Sequence, residues 1–156
     1  MQENIPSIQQ TPEPEITPEY KNRGTTMDAI IVRGDKILLI KRGMEPHKGK
    51  WATPGGYLDW NETIFEATIR EILEETGLHA KKEDITFVAF NTDPARHPRQ
   101  AINFVFIVRI PNGEPVAGDD AQELAWFSLD NLPEEMAFDH LQNIQLALPL
   151  INQSQS

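Results

Sequence analysis

The chain has 156 residues and no cysteine; 39% of residues are hydrophobic and 24% charged, and 24 acidic against 14 basic side chains give a formal charge of −10. A chain of this length buries a core as one domain without disulfides, and the lack of thiols excludes disulfides, thiolate nucleophiles and thiolate-ligated zinc or iron. The acidic excess argues against a nucleic-acid or anionic-membrane partner, and any polyanionic small molecule handled here needs cations to screen the carboxylates.

Residues 1–24 carry Pro6, Pro12, Pro14 and Pro18 among Glu, Gln and Thr. That composition buries too little apolar surface to offset ordering entropy, so a flexible extension is expected, with Ile5, Ile8, Ile16 and Tyr20 as its docking candidates. It has neither the basic start nor the continuous apolar run of a signal peptide. No stretch approaches the roughly 18 apolar residues of a spanning helix, and a cytoplasmic protein is expected.

The domain is expected over 25–151. Runs 27–32 and 36–40 are β-rich and flank Arg33-Gly34-Asp35, a plausible hairpin. The polar stretch 43–50, with Gly43, Pro46 and Gly49, predicts a loop, and WATPGG at 51–56 ends a short strand in a turn. The spacing predicts a helix over 62–76, capped by Asn61, with Phe65, Ile69, Ile72 and Leu73 as its apolar stripe and Gly77 as its stop. Strands are expected at 85–90 and 101–110, the second half-buried with Ile102, Phe104, Phe106 and Val108 on one face. A further strand is expected at 123–129. The closing helix is expected over 138–148, with Leu141, Ile144 and Leu148 inward, stopped by Pro149 and followed by a frayed tail at 152–156. Strands before and after one central helix suggest an α+β sandwich with a mixed sheet.

The helix concentrates the chemistry. Glu71, Glu74 and Glu75 share one face at spacings i, i+3 and i+4. They crowd the last turn, where the helix dipole already disfavours negative charge. Two readings stand on the helix alone: a solvated acidic face, with Glu66 and Arg70 as an ordinary i, i+4 pair, or a site for a hard cation such as magnesium or manganese. The wider frame decides between them: Gly56, five residues, Glu62, seven residues, then Arg70-Glu71-Ile72-Leu73-Glu74-Glu75-Thr76-Gly77-Leu78. This pattern resembles the Nudix box with every fixed position filled.

The resemblance covers most of 27–150. It implies a Nudix-like α/β/α sandwich with a mixed central sheet and a pyrophosphohydrolase acting on a nucleoside diphosphate linked to a second group, with Mg2+ or Mn2+ as cofactor. It further implies that Glu71, Glu74, Glu75 and the Gly55 carbonyl hold the metal, and that Glu62 and Arg70 brace the loop against the helix. Outside the box, Glu123 is the first candidate for the base that takes a proton from water, with Asp119 and Asp120 behind it.

The segment NTDPARHPRQ resembles the corresponding loop of ADP-ribose pyrophosphatases, as do IKRGMEPHKGKWATPGG and AFDH. Arg42, Arg96 and Arg99 are therefore the candidates for holding phosphates or ribose hydroxyls of a small-molecule nucleotide, whereas His47, His97 and His140 are expected to be loop or helix-start residues. Trp51, Trp60 and Trp126 are expected in packing. A mutator-type nucleoside triphosphate pyrophosphohydrolase and a non-catalytic nucleotide-binding regulator are the alternatives. A homodimer is expected only by analogy with the subgroup.

Overall fold

The computed structural model describes residues 22–153; the expectations for 1–21 and 154–156 lie outside the described residues. A mixed seven-stranded sheet carries one helix on each face. Its elements are β1 (Thr25–Arg33), β2 (Lys36–Arg42), β3 (Trp51–Ala52), β4 (Gly55–Tyr57), α1 (Ile64–Thr76), β5 (Ile85–Asn91), β6 (Ile102–Arg109), β7 (Ala121–Ser128) and α2 (His140–Gln153). The main path runs β3-β2-β1-β6-β5, with β4 added on β1 and β7 on β2. Only β1 and β6 run parallel among the strand pairs, in register from Thr25↔Ile102 to Val32↔Arg109.

The period-2 alternation of β1 sorts its side chains between the two layers. Met27, Ala29 and Ile31 pack with Ile72 of α1, and Ile30 and Val32 pack with Ile144, Ala147 and Ile151 of α2. Strand β6 divides in the same way, Phe106 and Val108 toward α1 and Val105 and Ile107 toward α2. It is thus buried on both faces in its second half rather than half-buried, because helices cover both sides of the sheet.

Both helices begin two residues later than expected, and α2 also ends later. Helix α1 begins after Thr63, whose hydroxyl accepts from Glu66 N–H at 3.2 Å. Asn61 is left-handed at φ 64 and lies outside the helix. Glu62 is also outside, where its carboxylate accepts from Asp59 N–H at 2.7 Å. Of the expected stripe, Ile72 is fully buried and Phe65 and Ile69 pack against the same core, whereas Leu73 is 44% exposed; Ala67, Thr68 and Thr76 complete the inward face. The helix stops as expected at Gly77, left-handed at φ 72.

Pro149 does not stop α2; it sits inside it. Proline's φ suits a helix, and the missing amide costs one backbone bond. Burial of Ile151 against the sheet and a bond from Arg109 Nη2 to Ile151 O (3.3 Å) hold the last turns, which include Asn152 and Gln153. The inward face of α2 is His140, Asn143, Ile144, Ala147 and Ile151, with Leu141 exposed. At the other end, residues 22–24 are tied to the domain by Arg23, which donates to Gln100 O (2.6 Å) and Thr92 O (2.7 Å).

Candidate active site

The last turn of α1 is acidic and has no basic residue. Its carbonyls are covered instead by backbone amides of the loop before β7: Val116 N–H donates to Thr76 O (2.7 Å) and Gly118 N–H to Glu75 O (3.1 Å). This loop brings Asp119 and Asp120 to a small cavity of about 80 Å³ that Glu71, Glu74 and Glu75 also line. Glu123 is elsewhere: it is exposed on β7, opposite Lys41 of β2, and lines neither this cavity nor the larger cleft described below.

Arg70 organises the carboxylates. Its guanidinium makes a two-point contact with Glu62 (2.7 and 3.0 Å), donates to Tyr57 O (3.0 Å), and reaches Glu71 (2.8 Å) and Glu74 (3.4 Å). The expected pairing of Arg70 with Glu66 gives way to this fork, whose planar geometry suits several oxygens at once. Hydrogen bonding to Arg70 holds the Glu62 carboxyl below its ordinary pKa, and the Arg70 pKa is raised chiefly by that bond. A Cβ at Gly56 would collide with the Glu71 carboxylate, so a side chain there would displace that carboxylate from its place beside Arg70.

Glu75 turns the other way. Its Oε2 accepts from Gly55 N–H at 2.9 Å, and burial, reinforced by the charges of Glu71 and Asp28, pushes its pKa up to about 8. Burial also raises the Glu71 pKa, against the pull of Arg70. Glu71, Glu74, Glu75 and Gly55 are thus neighbours, but among the described residues no three acidic or imidazole side chains converge on one point. Arg70 draws Glu71 and Glu74 to one side while Gly55 holds Glu75. The donor set nevertheless suits a hard divalent cation: three carboxylates and a backbone carbonyl, oxygen donors throughout, with burial raising the pKa of Glu71 and Glu75.

Beside Glu75 opens a cleft of about 480 Å³. Arg42, Arg96 and Arg99 all line it, as do Gly55, Glu75 and Phe138. Arg96 is clamped by Asp139, at 3.0 Å to each carboxylate oxygen, and its side chain is 7% exposed. Burial alone would lower the Arg96 pKa; the Asp139 carboxylate outweighs it and the pKa is raised. Arg42 donates to Pro46 O (2.7 Å) and lies 5.2 Å above the Phe138 ring, while Arg99 lies 6.0 Å above Tyr57. His97 stacks on Phe138 (6.0 Å, 18° between planes), and burial, together with Arg96 and Arg99, lowers its pKa.

The floor of the cleft is a buried polar line that the sequence does not announce. Thr26 Oγ1 donates to Asn103 Oδ1 (2.8 Å), Asn103 Nδ2 donates to Asp28 Oδ2 (2.8 Å), and His140 Nε2 lies 3.4 Å from Asp28 Oδ1. Asp28 and Asn103 sit in apolar strand runs, where a single polar residue gives no spacing signal. His140, expected as a helix-start residue, does begin α2 but also lines the cleft. Phe138 lies in the AFDH segment that carries the resemblance but is not singled out there; in the structure it stands out by a left-handed φ of 50, rare for a bulky residue.

Three comparisons bear on this geometry. The family model described as NUDIX domain matches residues 22–147. A protein of Methanocaldococcus jannaschii named ADP-ribose pyrophosphatase is 47% identical over 122 residues, covering 78% of this chain and 70% of its own length. Among solved structures, a MutT/nudix family protein from Enterococcus faecalis superposes with a TM-score of 0.79 at 28% identity, over 89% of this chain and 66% of that one. A bifunctional NMN adenylyltransferase/ADP ribose pyrophosphatase from Francisella tularensis, complexed with AMP and a manganese ion, superposes with a TM-score of 0.72 at 32% identity, over 85% of this chain and 43% of that one. The box, the fold and these matches together make the chain a member of the Nudix family and a Nudix pyrophosphohydrolase.

Proposed function

We propose that the protein hydrolyses the pyrophosphate of ADP-ribose, or of a closely related nucleoside diphosphate sugar, with Mg2+ or Mn2+, to a nucleoside monophosphate and a sugar phosphate. The observation that carries this reading is the shared cleft: Arg42, Arg96 and Arg99 line the same cavity as Glu75 and Gly55. A pyrophosphate with a nucleoside at one end and a sugar at the other needs such a pairing of cationic side chains and metal-binding carboxylates. The names of the Methanocaldococcus relative and the Francisella neighbour support it, as does the AMP and manganese in the latter's complex.

In this reading Glu71, Glu74, Glu75 and the Gly55 carbonyl hold the divalent metal, which neutralises phosphate charge and lowers the pKa of water when bound. Arg70 keeps Glu71 and Glu74 oriented, and Glu62 keeps Arg70 in place. Arg96, immobilised by Asp139, offers fixed donors to a phosphate or ribose oxygen, while Arg42 at the end of β2 and Arg99 in the loop between β5 and β6 line the cleft with it. Phe138 and Tyr57 offer ring faces to a base or ribose. The base role falls to an acid beside the carboxylates: Asp119 and Asp120 line the cavity that Glu71, Glu74 and Glu75 share, and Glu123 does not.

The test is product analysis. With magnesium, the protein incubated with ADP-ribose, nucleotide sugars, NADH and 8-oxo-dGTP should release AMP and ribose 5-phosphate from ADP-ribose. Release of inorganic pyrophosphate from a triphosphate, with ADP-ribose untouched, would refute the proposal in favour of the mutator-type reading.

A further inference from the structure

Strand β3 meets the segment before α2 in a short parallel ladder: Trp51 N–H donates to Glu135 O (2.9 Å) and Ala137 N–H to Trp51 O (2.7 Å), about a bridge between Trp51 and Met136. In a regular parallel pair the next rung sends Thr53 N–H to Ala137 O. Here it does not. The chain turns away at Phe138, at φ 50, and Ala137 O accepts from His140 N–H (3.2 Å) instead. Thr53, 3% exposed, would bury an unpartnered amide. Its N–H donates instead to His140 Nδ1 at 3.1 Å, with Thr53 Oγ1 at 3.3 Å from the same nitrogen. The imidazole stands in for the missing backbone carbonyl.

Because Nδ1 accepts a backbone amide, the ring proton is assigned to Nε2, on the side of Asp28 Oδ1. Asp28 is in turn held through Asn103 to Thr26. From the end of β3 into β4 three successive residues are pinned: Thr53 by His140, Pro54 O by Ala29 N–H (2.8 Å), and Gly55 N–H, the first of β4, by the Glu75 carboxylate (2.9 Å). The turn that frees the imidazole also puts Phe138 on the cleft wall and Asp139 on Arg96.

We propose that His140 is a positioning residue for this enzyme: by completing the β3 ladder at Thr53 it sets where Gly55 meets Glu75, and its turn places the nucleotide-side wall in the same register. The catalytic consequence rests on the pyrophosphatase reading; the structural one does not. Two conservative variants separate the ring's two contacts, since an Asn amide reaches the position of Nδ1 and a Gln amide that of Nε2. In the metal-free protein, His140→Asn should keep the Thr53 and Gly55 amides as protected from hydrogen exchange as in wild type. In His140→Gln both should exchange at least about tenfold faster, with amides of the α2 core unchanged.

With saturating magnesium and ADP-ribose, His140→Gln should lose about tenfold in kcat with KM within about threefold of wild type, and His140→Asn should stay within about threefold on both. Equal Thr53 exchange in wild type and His140→Gln, or equal loss of kcat in the two variants, overturns the proposal. If His140→Gln does not fold, loss of Thr53 protection in His140→Asn overturns it alone. A wild-type protein inert to ADP-ribose sinks the substrate reading and leaves the exchange comparison to judge His140.

Discussion

The two walls of the site, an acidic one shared between the small cavity and the cleft and a basic one on the cleft, are built in opposite ways. The acidic wall is local: Glu71, Glu74 and Glu75 come from consecutive turns of one helix, and Arg70 from the same helix holds two of them. The basic wall is assembled from afar: Arg42 ends β2, Arg96 and Arg99 lie in the loop between β5 and β6, and the Asp139 that fixes Arg96 precedes α2. Each wall depends on one arginine clamped by carboxylates, but Arg70 serves carboxylates and Arg96 serves the cleft. A cluster of like charge at helical spacing is tolerable only if something neutralises it, and a cluster of arginines only if the fold fixes it.

Substitutions on the two walls should break this contrast in different kinetic parameters. The largest effect is expected from Glu75→Gln, which removes from the desolvated end a carboxylate we propose as a metal ligand: kcat should fall by a factor on the order of 10³ with the fold retained. Steady-state kinetics beside a circular dichroism melt checks this, and near-normal turnover would remove Glu75 from the metal site. Next is Arg70→Met, which leaves Glu62 and Glu71 without their partner. It should raise the magnesium concentration for half-maximal activity about 10–100-fold, as loss of a group supporting metal ligands does, and cost about 1–2 kcal/mol of stability, because the pair is only partly buried.

On the other wall, Arg96→Met should raise KM for ADP-ribose about tenfold or more while changing kcat less. A fall in kcat at unchanged KM would move Arg96 from substrate binding to the chemistry.

The smallest effect concerns pH in the metal-free protein. The Glu75 pKa stands near 8 when folded, above the ordinary value of 4.5. The folded state therefore holds a proton that the unfolded chain has released, and stability falls as pH rises from about 4.5 to about 8. Glu75→Gln removes this penalty. It should match wild type near pH 4 and be more stable near pH 8 by about 1 kcal/mol or more, and added magnesium should narrow the difference by stabilising only the wild type. Urea melts at the two pH values decide it; a variant less stable than wild type at pH 8 without metal would mean that Glu75 is ionised and satisfied there.

The contrast between the walls also explains what the sequence discloses. The acidic wall is legible because a helix repeats every 3.6 residues, so spacing alone puts Glu71, Glu74 and Glu75 on one face. Arg42, Arg96 and Arg99 were named from a loop resemblance, and the structure brings all three to one cleft. Asp28 and Asn103 were not legible, because each is a single polar residue in an apolar strand whose partner lies 75 residues away. Helix ends were misplaced where a side chain had other work: Asn61 gave way to Thr63 because Glu62 bonds outside the helix to Asp59 and Arg70. Pro149 reads as a stop in the sequence because local propensity carries no information about the burial of Ile151 beyond it.

The central claim is that both walls address one pyrophosphate, and a crystal structure of the wild-type protein with AMP and manganese tests it most directly. Manganese should be held by carboxylates of Glu71, Glu74 or Glu75, with Arg70 still bonded to Glu62 and the AMP phosphate between that metal and an arginine of the cleft. Manganese bound away from α1, or an AMP phosphate that meets the arginines without approaching the carboxylates, would contradict it.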